Sequence, residues 1–224
     1  GGSTLTASIL ERLLRASKHR FGPTTELGLF DMADDGLRSV PDPSALFLSD
    51  RQTGVPGSIV VPTLEGQRPL MVEMQVLTSE VRGESPARRS AQGLDASRLA
   101  MLLAVLGQRL RQPVAHHDVY ASVVGGVRIV EPGSDLGLCL AVLSALSHQP
   151  VRPDTVAFGE VGLGGEVRQV PHASRRLAEA ARLGFATAIV PHKTPDVDAD
   201  ISVVRVDSVR EAMKSLGITG TTTH

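Results

Sequence analysis

A long apolar run with no polar stripe is the feature that most constrains how this chain can fold. Residues 136–147 read LGLCLAVLSALS, so a helix formed there has no polar face to turn toward water. The preceding segment EPGSD offers Ser134 or Asp135 as a helix cap, and Pro150 stops the helix at its far end. We therefore predict a helix that is buried on every side, in the core.

Strand patterns surround this predicted helix. VVGGVRIV (residues 123–130) is β-branched and broken by two glycines, which predicts a strand with a bulge or a close backbone approach. TVAFGEVGLGGEVRQV (residues 155–170) predicts a hairpin or two short strands joined by a glycine turn. Further strands are predicted for ATAIVP and for residues 201–206, the latter followed by a short helix capped by Asp207 or Ser208.

Two amphipathic helices are predicted outside the core segment. Residues 171–185 place Leu177 and Ala181 inward, with Ala180 as a third candidate, and their arginines outward, and Gly184 ends the helix. Near the start of the chain, residues 5–20 carry apolar side chains at helical spacing and basic residues toward their end.

These segments together resemble a known family. The pattern GxxLAVLSALxxxPVRPDxxxxGEVxLxGEVxxV, followed by a helix and AIVP, is similar to the peptidase domain of the Lon family. Four further segments resemble the Lon-like C-terminal domain of the RadA (Sms) family of bacterial recombination and repair ATPases: KHRFGPTTELGLFDM, PSALFLS, PGSIVVPTLEGQRPLMVEMQVL and GLDASRLAMLLAVL. The resemblance extends from Lys18 to about Leu216.

The resemblance implies the domain organisation. Residues 1–24 are expected to hold a tag remnant (GGS), a helix and the KHRFG segment from the end of an ATPase domain. Residues 25–218 are expected to form an α+β domain of the Lon proteolytic type, with the ribosomal protein S5 domain 2-like fold and a β-rich lead-in at residues 25–77. The polar residues 219–224 are expected to form a frayed tail.

A Lon-type peptidase needs a serine at a helix N-terminus and a lysine whose desolvated amine accepts the serine proton. Counted without gaps from the matching motifs, these two positions fall on Gly133 and Ser174. Arg175 and Arg176 cannot replace the lysine, because a guanidinium stays protonated and accepts no proton. No catalytic dyad is therefore expected. The alternative is a peptidase that uses Ser134 with His172 as base, against a helix-capping role for Ser134.

The resemblance also nominates basic residues for DNA contact. Relatives carry Arg or Lys in the elements that match four arginines, and a further pair lies in a segment rich in Gly, Ser and Pro. The six candidates are Arg68, Arg88, Arg89, Arg98, Arg128 and Arg168. The alternatives are solvated charges or salt bridges between subunits. The chain has no tryptophan and 3% aromatic residues, so any nucleic-acid contact should be directed mainly at phosphates.

KHRFG resembles the family signature KNRFG, in which the lysine and arginine are thought to reach ATP bound by the adjacent subunit. Lys18 and Arg20 occupy those positions, with an exposed basic terminus as the alternative interpretation. The chain has no GxxxxGK[ST] loop, so no cofactor is expected in it and it is not expected to be an enzyme by itself. ATP, Mg²⁺ and zinc are expected for the full-length family only.

The spacing of histidines and the number of cysteines bear on metal binding and on the cellular compartment. Seven histidines show no HxxxH or HExxH spacing, so no metal site is expected, and His116 and His117 are interpreted as loop or strand-edge residues. The lone Cys139 lies in the apolar run, which excludes a disulfide framework and indicates a reducing, cytoplasmic compartment. No apolar run is long enough to predict a membrane span.

Three functional hypotheses follow. In the first, the chain is a non-proteolytic scaffold domain of a RadA-type DNA repair ATPase, which forms a homo-oligomeric ring, a hexamer by resemblance, and contacts DNA during branch migration. In the second, it is a serine peptidase that uses Ser134. In the third, it is an interaction module that recruits a RecA-type recombinase without touching DNA.

Overall fold

A computed structural model of the chain describes residues 51–220, Leu48, and four short strands nearer the N-terminus. These four pair as two hairpin-like ribbons: β1 (Leu14–Arg15) with β2 (Leu27–Gly28), and β3 (Phe30–Ala33) with β4 (Gly36–Ser39). The other strands are β5 (Ser58–Glu65), β6 (Arg68–Glu80), β7 (Arg89–Gln92), β8 (His117–Val123), β9 (Thr155–Ala157), β10 (Glu160–Val161), β11 (Val167–Arg168), β12 (Thr187–Pro191) and β13 (Ser202–Val206). The helices are α1 (Ala96–Arg109), α2 (Asp135–Ser147), α3 (Ala173–Arg182) and α4 (Val209–Ser215).

Seven strands form one mixed sheet in the order β13-β12-β9-β5-β6-β8-β7. Four of its six pairings are parallel, and the two made by β6, with β5 and β8, are antiparallel. Helix α3 connects β9 to β12, and α1 connects β7 to β8, as parallel neighbours require. The arrangement is compatible with the α+β class expected from the sequence, although the sheet is mostly parallel.

The two faces of the sheet bury different helices. Alternate residues of β5, such as Ile59 and Val61, face the larger core with α1, α2 and α4. Val60 between them faces a smaller core with Phe158 on the other side, where α3 packs through Leu177 and Ala180. Helices therefore cover both faces of the β5–β9–β12 part of the sheet.

Helix α2 is the centre of the larger core, as the apolar run predicts. Every residue from Asp135 to Leu146 is buried, and each leucine taken out of water stabilises the fold by about 1.5–3 kcal/mol. The helix lies so close to β5 that a Cβ on Gly137 would come within 2.2 Å of Val61 Cγ1. It ends at His148, which adopts the left-handed conformation ahead of Pro150.

Several predicted elements are confirmed, and others need correction. The β10–β11 hairpin, β12, β13 and the short helix capped by Ser208 form where predicted. The strand predicted for residues 123–130 does not form: β8 ends at Val123, and Gly125 and Gly126 then turn the chain with positive φ. The lead-in is β-rich in its described residues. Leu14–Arg15, within the predicted N-terminal helix, is a strand instead, and the rest of that prediction lies outside the described residues, as does most of the predicted tail.

Among the described residues, no helix is both long enough and apolar enough to cross a membrane.

Candidate nucleic-acid interface and the ion pairs beside it

The parallel strands bring most of the predicted basic residues to one edge of the sheet. Strands β5, β7, β8, β9, β12 and β13 point the same way, so their carboxyl ends meet at what we call the carboxyl edge. Arg68 lies there because it begins β6 opposite Glu65, and Arg98 lies in the first turn of α1, directly after β7. Arg128 follows β8, and Arg168 ends β11 beyond β9. Four of the six candidates thus share one edge.

Arg88 and Arg89 do not belong to this group. They stand at the start of β7, at the opposite edge of the sheet. The Arg89 guanidinium donates to Val114 O at 2.7 Å and to His117 O, and partial burial lowers the pKa of its side chain. Arg88 is exposed, with its backbone N–H bound to the Asp118 carboxylate at 2.6 Å. Arg89 therefore ties β7 to the segment before β8.

At the carboxyl edge, Arg98 is occupied by a buried carboxylate. Its Nε donates to Asp135 Oδ1 at 2.8 Å, and its Nη2 contacts Asp135 Oδ2. Asp135 is 2% exposed and also accepts the Val161 N–H at 3.0 Å. Burial raises the pKa of Asp135, and the hydrogen bond from Arg98 opposes that shift. Arg98 therefore balances the charge at the start of α2, which leaves it unsuited to binding a phosphate.

Arg128 and Arg168 are the candidates that this edge presents to solvent. Arg128 is exposed two residues before Val130, which is itself 81% exposed. The Arg168 side chain is 63% exposed, and its Nη2 lies 3.1 Å from Glu166 Oε1, a surface contact that costs little to exchange for another anion. Arg68 is exposed as well, at the β5–β6 turn.

The two positions of the Lon-type dyad do not meet. Gly133 is buried, whereas Ser174 is exposed and lines a cavity on the outside of α3. Residues two apart on a helix point in nearly opposite directions, so the side chain that reaches Gly133 is Arg176. A Cβ on Gly133 would lie 2.8 Å from Arg176 Nη1 and 2.8 Å from Glu131 Oε2. The ion pair of Arg176 and Glu131 therefore occupies the space that a side chain at residue 133 would need.

That ion pair joins Glu131 to a fully buried arginine. The Arg176 guanidinium donates to Glu131 Oε1 at 2.5 Å and Oε2 at 2.7 Å, in the two-pronged geometry of strong Arg–carboxylate pairs. Its remaining donors bind Pro62 O at 2.9 Å and Pro171 O at 3.0 Å, and its plane lies 5.7 Å from the centre of the Phe158 ring. This side chain corrects the prediction that all arginines of α3 point outward.

Neither the role of Glu131 nor the burial of Arg176 was predicted from the sequence. A signal for Arg176 exists in the spacing of α3, because residue 176 lies between Ala173, Leu177 and Ala180 on the stripe that faces the sheet. A charged residue on such a stripe becomes buried only where a partner of opposite charge pairs with it.

Ser134 is buried beside this pair, at the start of α2. Its hydroxyl donates to Glu131 O at 3.3 Å and makes no capping bond to the helix, so the predicted cap position is correct but the cap contact is absent. His172, its proposed base, is exposed at the N-terminal end of α3, on the outer side of that helix.

No group of three or more His, Cys, Asp or Glu side chains among the described residues is arranged to hold a metal ion. His116 lies exposed in a short 3-10 turn, and His117 begins β8 with its Nδ1 2.8 Å from Pro113 O. Lys18 and Arg20 lie outside the described residues.

These features define a mixed α/β domain with basic residues gathered at the carboxyl edge of its sheet. The chain is similar to curated proteins named DNA repair protein RadA. It is 48% identical to that of Pseudomonas aeruginosa over 207 residues, 92% of this chain and 46% of the relative. It is 49% identical to that of Escherichia coli over 180 residues, 80% of this chain and 39% of the relative. The relative from Mycobacterium tuberculosis is 41% identical over 203 residues, 91% of this chain and 42% of the relative.

The chain therefore corresponds to a fragment of a RadA-family protein, which supports the resemblance drawn from its motifs. It spans less than half the length of the curated relatives that it matches. A family model described as subunit ChlI of Mg-chelatase also matches residues 127–194, the part that contains α2, the β10–β11 hairpin and α3.

One expectation from the sequence is wrong. The chain was expected not to be an enzyme, because it has neither the Ser–Lys dyad nor a GxxxxGK[ST] loop. The comparisons align it with RadA proteins and with a subunit of Mg-chelatase. The resemblance to the RadA family implies an ATPase, and the match to the Mg-chelatase subunit points to nucleotide binding. A classification as a non-enzyme conflicts with both findings.

Proposed function

We propose that this chain is the DNA-contacting part of a RadA-type, ATP-dependent DNA repair protein. In this proposal its domain has the Lon-like fold and assembles with further copies into a ring, a hexamer by resemblance. The ring contacts DNA during branch migration of recombination intermediates. ATP, Mg²⁺ and zinc would be bound by the full-length protein, with Lys18 and Arg20 directed at ATP held by a neighbouring subunit.

The observation that carries the proposal is the exposure of Arg128 and Arg168 at the edge where Arg98 is already neutralised. Asp135 removes Arg98 from the surface charge, and the buried Glu131–Arg176 pair is internally balanced. Arg128 and Arg168 therefore remain as solvent-facing cations at this edge, where Arg168 can exchange its surface contact with Glu166 for a phosphate of the backbone. A ring would repeat these residues around one channel, which compensates for the net charge of −1 on a single chain.

DNA binding tests the proposal directly. Fluorescence anisotropy across a salt series would compare the wild-type chain with an Arg128→Glu, Arg168→Glu double variant, on duplex and single-stranded DNA. The matched control is Arg152→Glu, Arg182→Glu, which reverses two exposed charges at the opposite edge of the sheet. We expect the first variant to lose affinity and to flatten the salt dependence by about one unit of slope per lost phosphate contact, and the control to behave as wild type.

Two results would overturn the proposal. Equal losses in both double variants would mean that net charge alone drives binding, without a defined interface. No DNA binding by chains that light scattering shows to be assembled would favour the recombinase-recruiting module instead.

A further inference from the structure

A surface cavity of about 410 Å³ opens at the N-terminal end of α3, on the carboxyl edge. Its polar wall consists of Gln169, His172, Ser174, Arg175 and Thr194. Gln169 Nε2 donates to Lys193 O at 2.9 Å, so the segment before α3 and the loop after β12 are held together as the two sides of one cavity. The arginines proposed above for DNA contact do not line it.

The first turn of α3 forms part of the cavity wall. His172 precedes the helix with a φ of 59° and makes no side-chain capping bond. The first intrahelical bond joins Arg176 N to His172 O at 3.1 Å. The N–H groups of Ala173, Ser174 and Arg175 therefore have no partner within the helix, and they carry the positive end of its dipole.

A second, independent observation comes from Thr194 on the facing wall. Thr194 is 5% exposed, and it lines the cavity. Its backbone is satisfied, because its N–H donates to Pro191 O at 3.0 Å and its carbonyl accepts from Arg205 Nε at 3.0 Å. Its hydroxyl has no hydrogen-bond partner among the residues that the structure describes. Thr194 lines the cavity, so its hydroxyl is open to a partner that binds there.

The charges around the cavity favour an anion. Arg175 lines the cavity and is exposed, and its Nη1 donates to Gln67 O at 3.2 Å, on the β5–β6 turn next to Arg68. Lys193 is exposed directly before Thr194 in the chain. The carboxylate of Asp196 beyond Thr194 is engaged with Arg205 at 2.7 Å. The cavity thus offers backbone donors, two hydroxyls and two cations, which together match the oxygens of a phosphate group.

We propose that the N-terminal end of α3 is a phosphate-binding subsite for the nucleic-acid backbone. The proposal rests on the proposed function, and it extends the interface from Arg128 and Arg168 toward Gln67 and Arg175. Ser174, at the position where a Lon peptidase is expected to carry its lysine, then serves as a hydroxyl donor to phosphate.

The first test uses inorganic phosphate and does not depend on DNA. Amide resonances of Ala173, Ser174 and Arg175 would be followed by NMR during titration with sodium phosphate, with sodium chloride at equal ionic strength as reference. We expect these three amides to shift with phosphate only. Ser174→Glu places a carboxylate in the subsite, where a helix tolerates it well, so the fold should persist while the shifts are lost. Thr194→Val removes the second hydroxyl at nearly constant volume.

The second test asks whether the phosphate belongs to nucleic acid. In the anisotropy assay we expect Ser174→Glu to weaken DNA binding roughly tenfold, the loss of a charge-assisted contact, while Arg152→Glu has no effect. Wild-type affinity in Ser174→Glu, with the Arg128 and Arg168 effects intact, would overturn the subsite and leave the DNA interface standing. Phosphate-specific shifts without any DNA binding would overturn the nucleic-acid assignment. Equal shifts in phosphate and chloride would show that there is no phosphate site.

Discussion

Removal of one partner of the Glu131–Arg176 pair should destabilise this domain far more than removal of one partner of a surface ion pair would. Arg176 is fully buried and Glu131 is 18% exposed, so neither charge can return to water without opening the packing of α3 on the sheet. Glu131→Gln keeps the shape of the side chain but removes its charge. It would leave a buried guanidinium with carbonyl oxygens as its main acceptors.

The size of the effect follows from these contacts. Loss of one member of a buried pair costs about 3–5 kcal/mol, because the other charge stays buried and uncompensated. Glu131→Gln retains one acceptor oxygen, and Pro62 O and Pro171 O still bind Arg176, so we expect about 3 kcal/mol. A domain of ordinary stability has about 5–15 kcal/mol in total, so this loss would be large.

Urea unfolding monitored by circular dichroism measures the free energy of unfolding for each variant. Arg182→Met is the control on the same helix, because the Arg182 side chain is 53% exposed where Arg176 is fully buried, and its pair with Glu179 should be worth less than about 1 kcal/mol. The double variant Glu131→Leu, Arg176→Met removes both charges. It should recover a large part of the loss, since apolar replacements of buried pairs are often neutral or better.

A cost below about 1 kcal/mol for Glu131→Gln would refute the argument that the buried guanidinium needs its carboxylate. So would a double variant whose loss equals the sum of the losses in Glu131→Leu and in Arg176→Met measured singly, because the losses of two charges that stabilise each other are not additive.

Other predictions concern the core. Gly137→Ala should cost about 1–3 kcal/mol in urea unfolding, because the new methyl group meets Val61 Cγ1. Burial raises the pKa of Glu73 above its ordinary 4.5 despite its contact with Arg51. Between pH 4.5 and that raised pKa, the folded state therefore holds a proton that the unfolded state has released. The stability of wild type relative to Glu73→Gln should therefore fall as pH rises from 4.5 through that raised pKa; a flat or rising difference would contradict this. Burial also raises the pKa of the Cys139 thiol, so it should react with a disulfide reagent only on unfolding, and rapid labelling of folded protein would contradict its position in α2.

Local patterns predicted the elements that depend on local physics. The run that became α2 has no polar face, and a helix of that kind can lie only in a core, so its burial followed without knowledge of its neighbours. The β10–β11 hairpin followed in the same way from glycines that permit a tight turn. The strand expected after Val123 failed for a related reason, because two adjacent glycines with positive φ end a strand as readily as they bulge it.

The site depended on contacts that no local pattern contains. Arg176 is 45 residues from Glu131 in the chain, and hydropathy assigns arginine to the surface unless a partner is known. The gathering of Arg68, Arg128 and Arg168 at one edge depends on the strand order, which places β5 between β6 and β9. The resemblance to a known family nominated these arginines, but only the parallel topology separates them from Arg88 and Arg89.

The position of β5 in the sheet also has a consequence for how the chain is made. Strand β5 is synthesised about 90 residues before the neighbour on its other side, β9, which comes from residues 155–157 and joins it at Val60 and Val156. Until that later segment leaves the ribosome, one edge of an eight-residue apolar strand has no partner. Nascent chains that stall before residue 155 should therefore fold slowly and associate through this edge, and they are the species that would most need a chaperone.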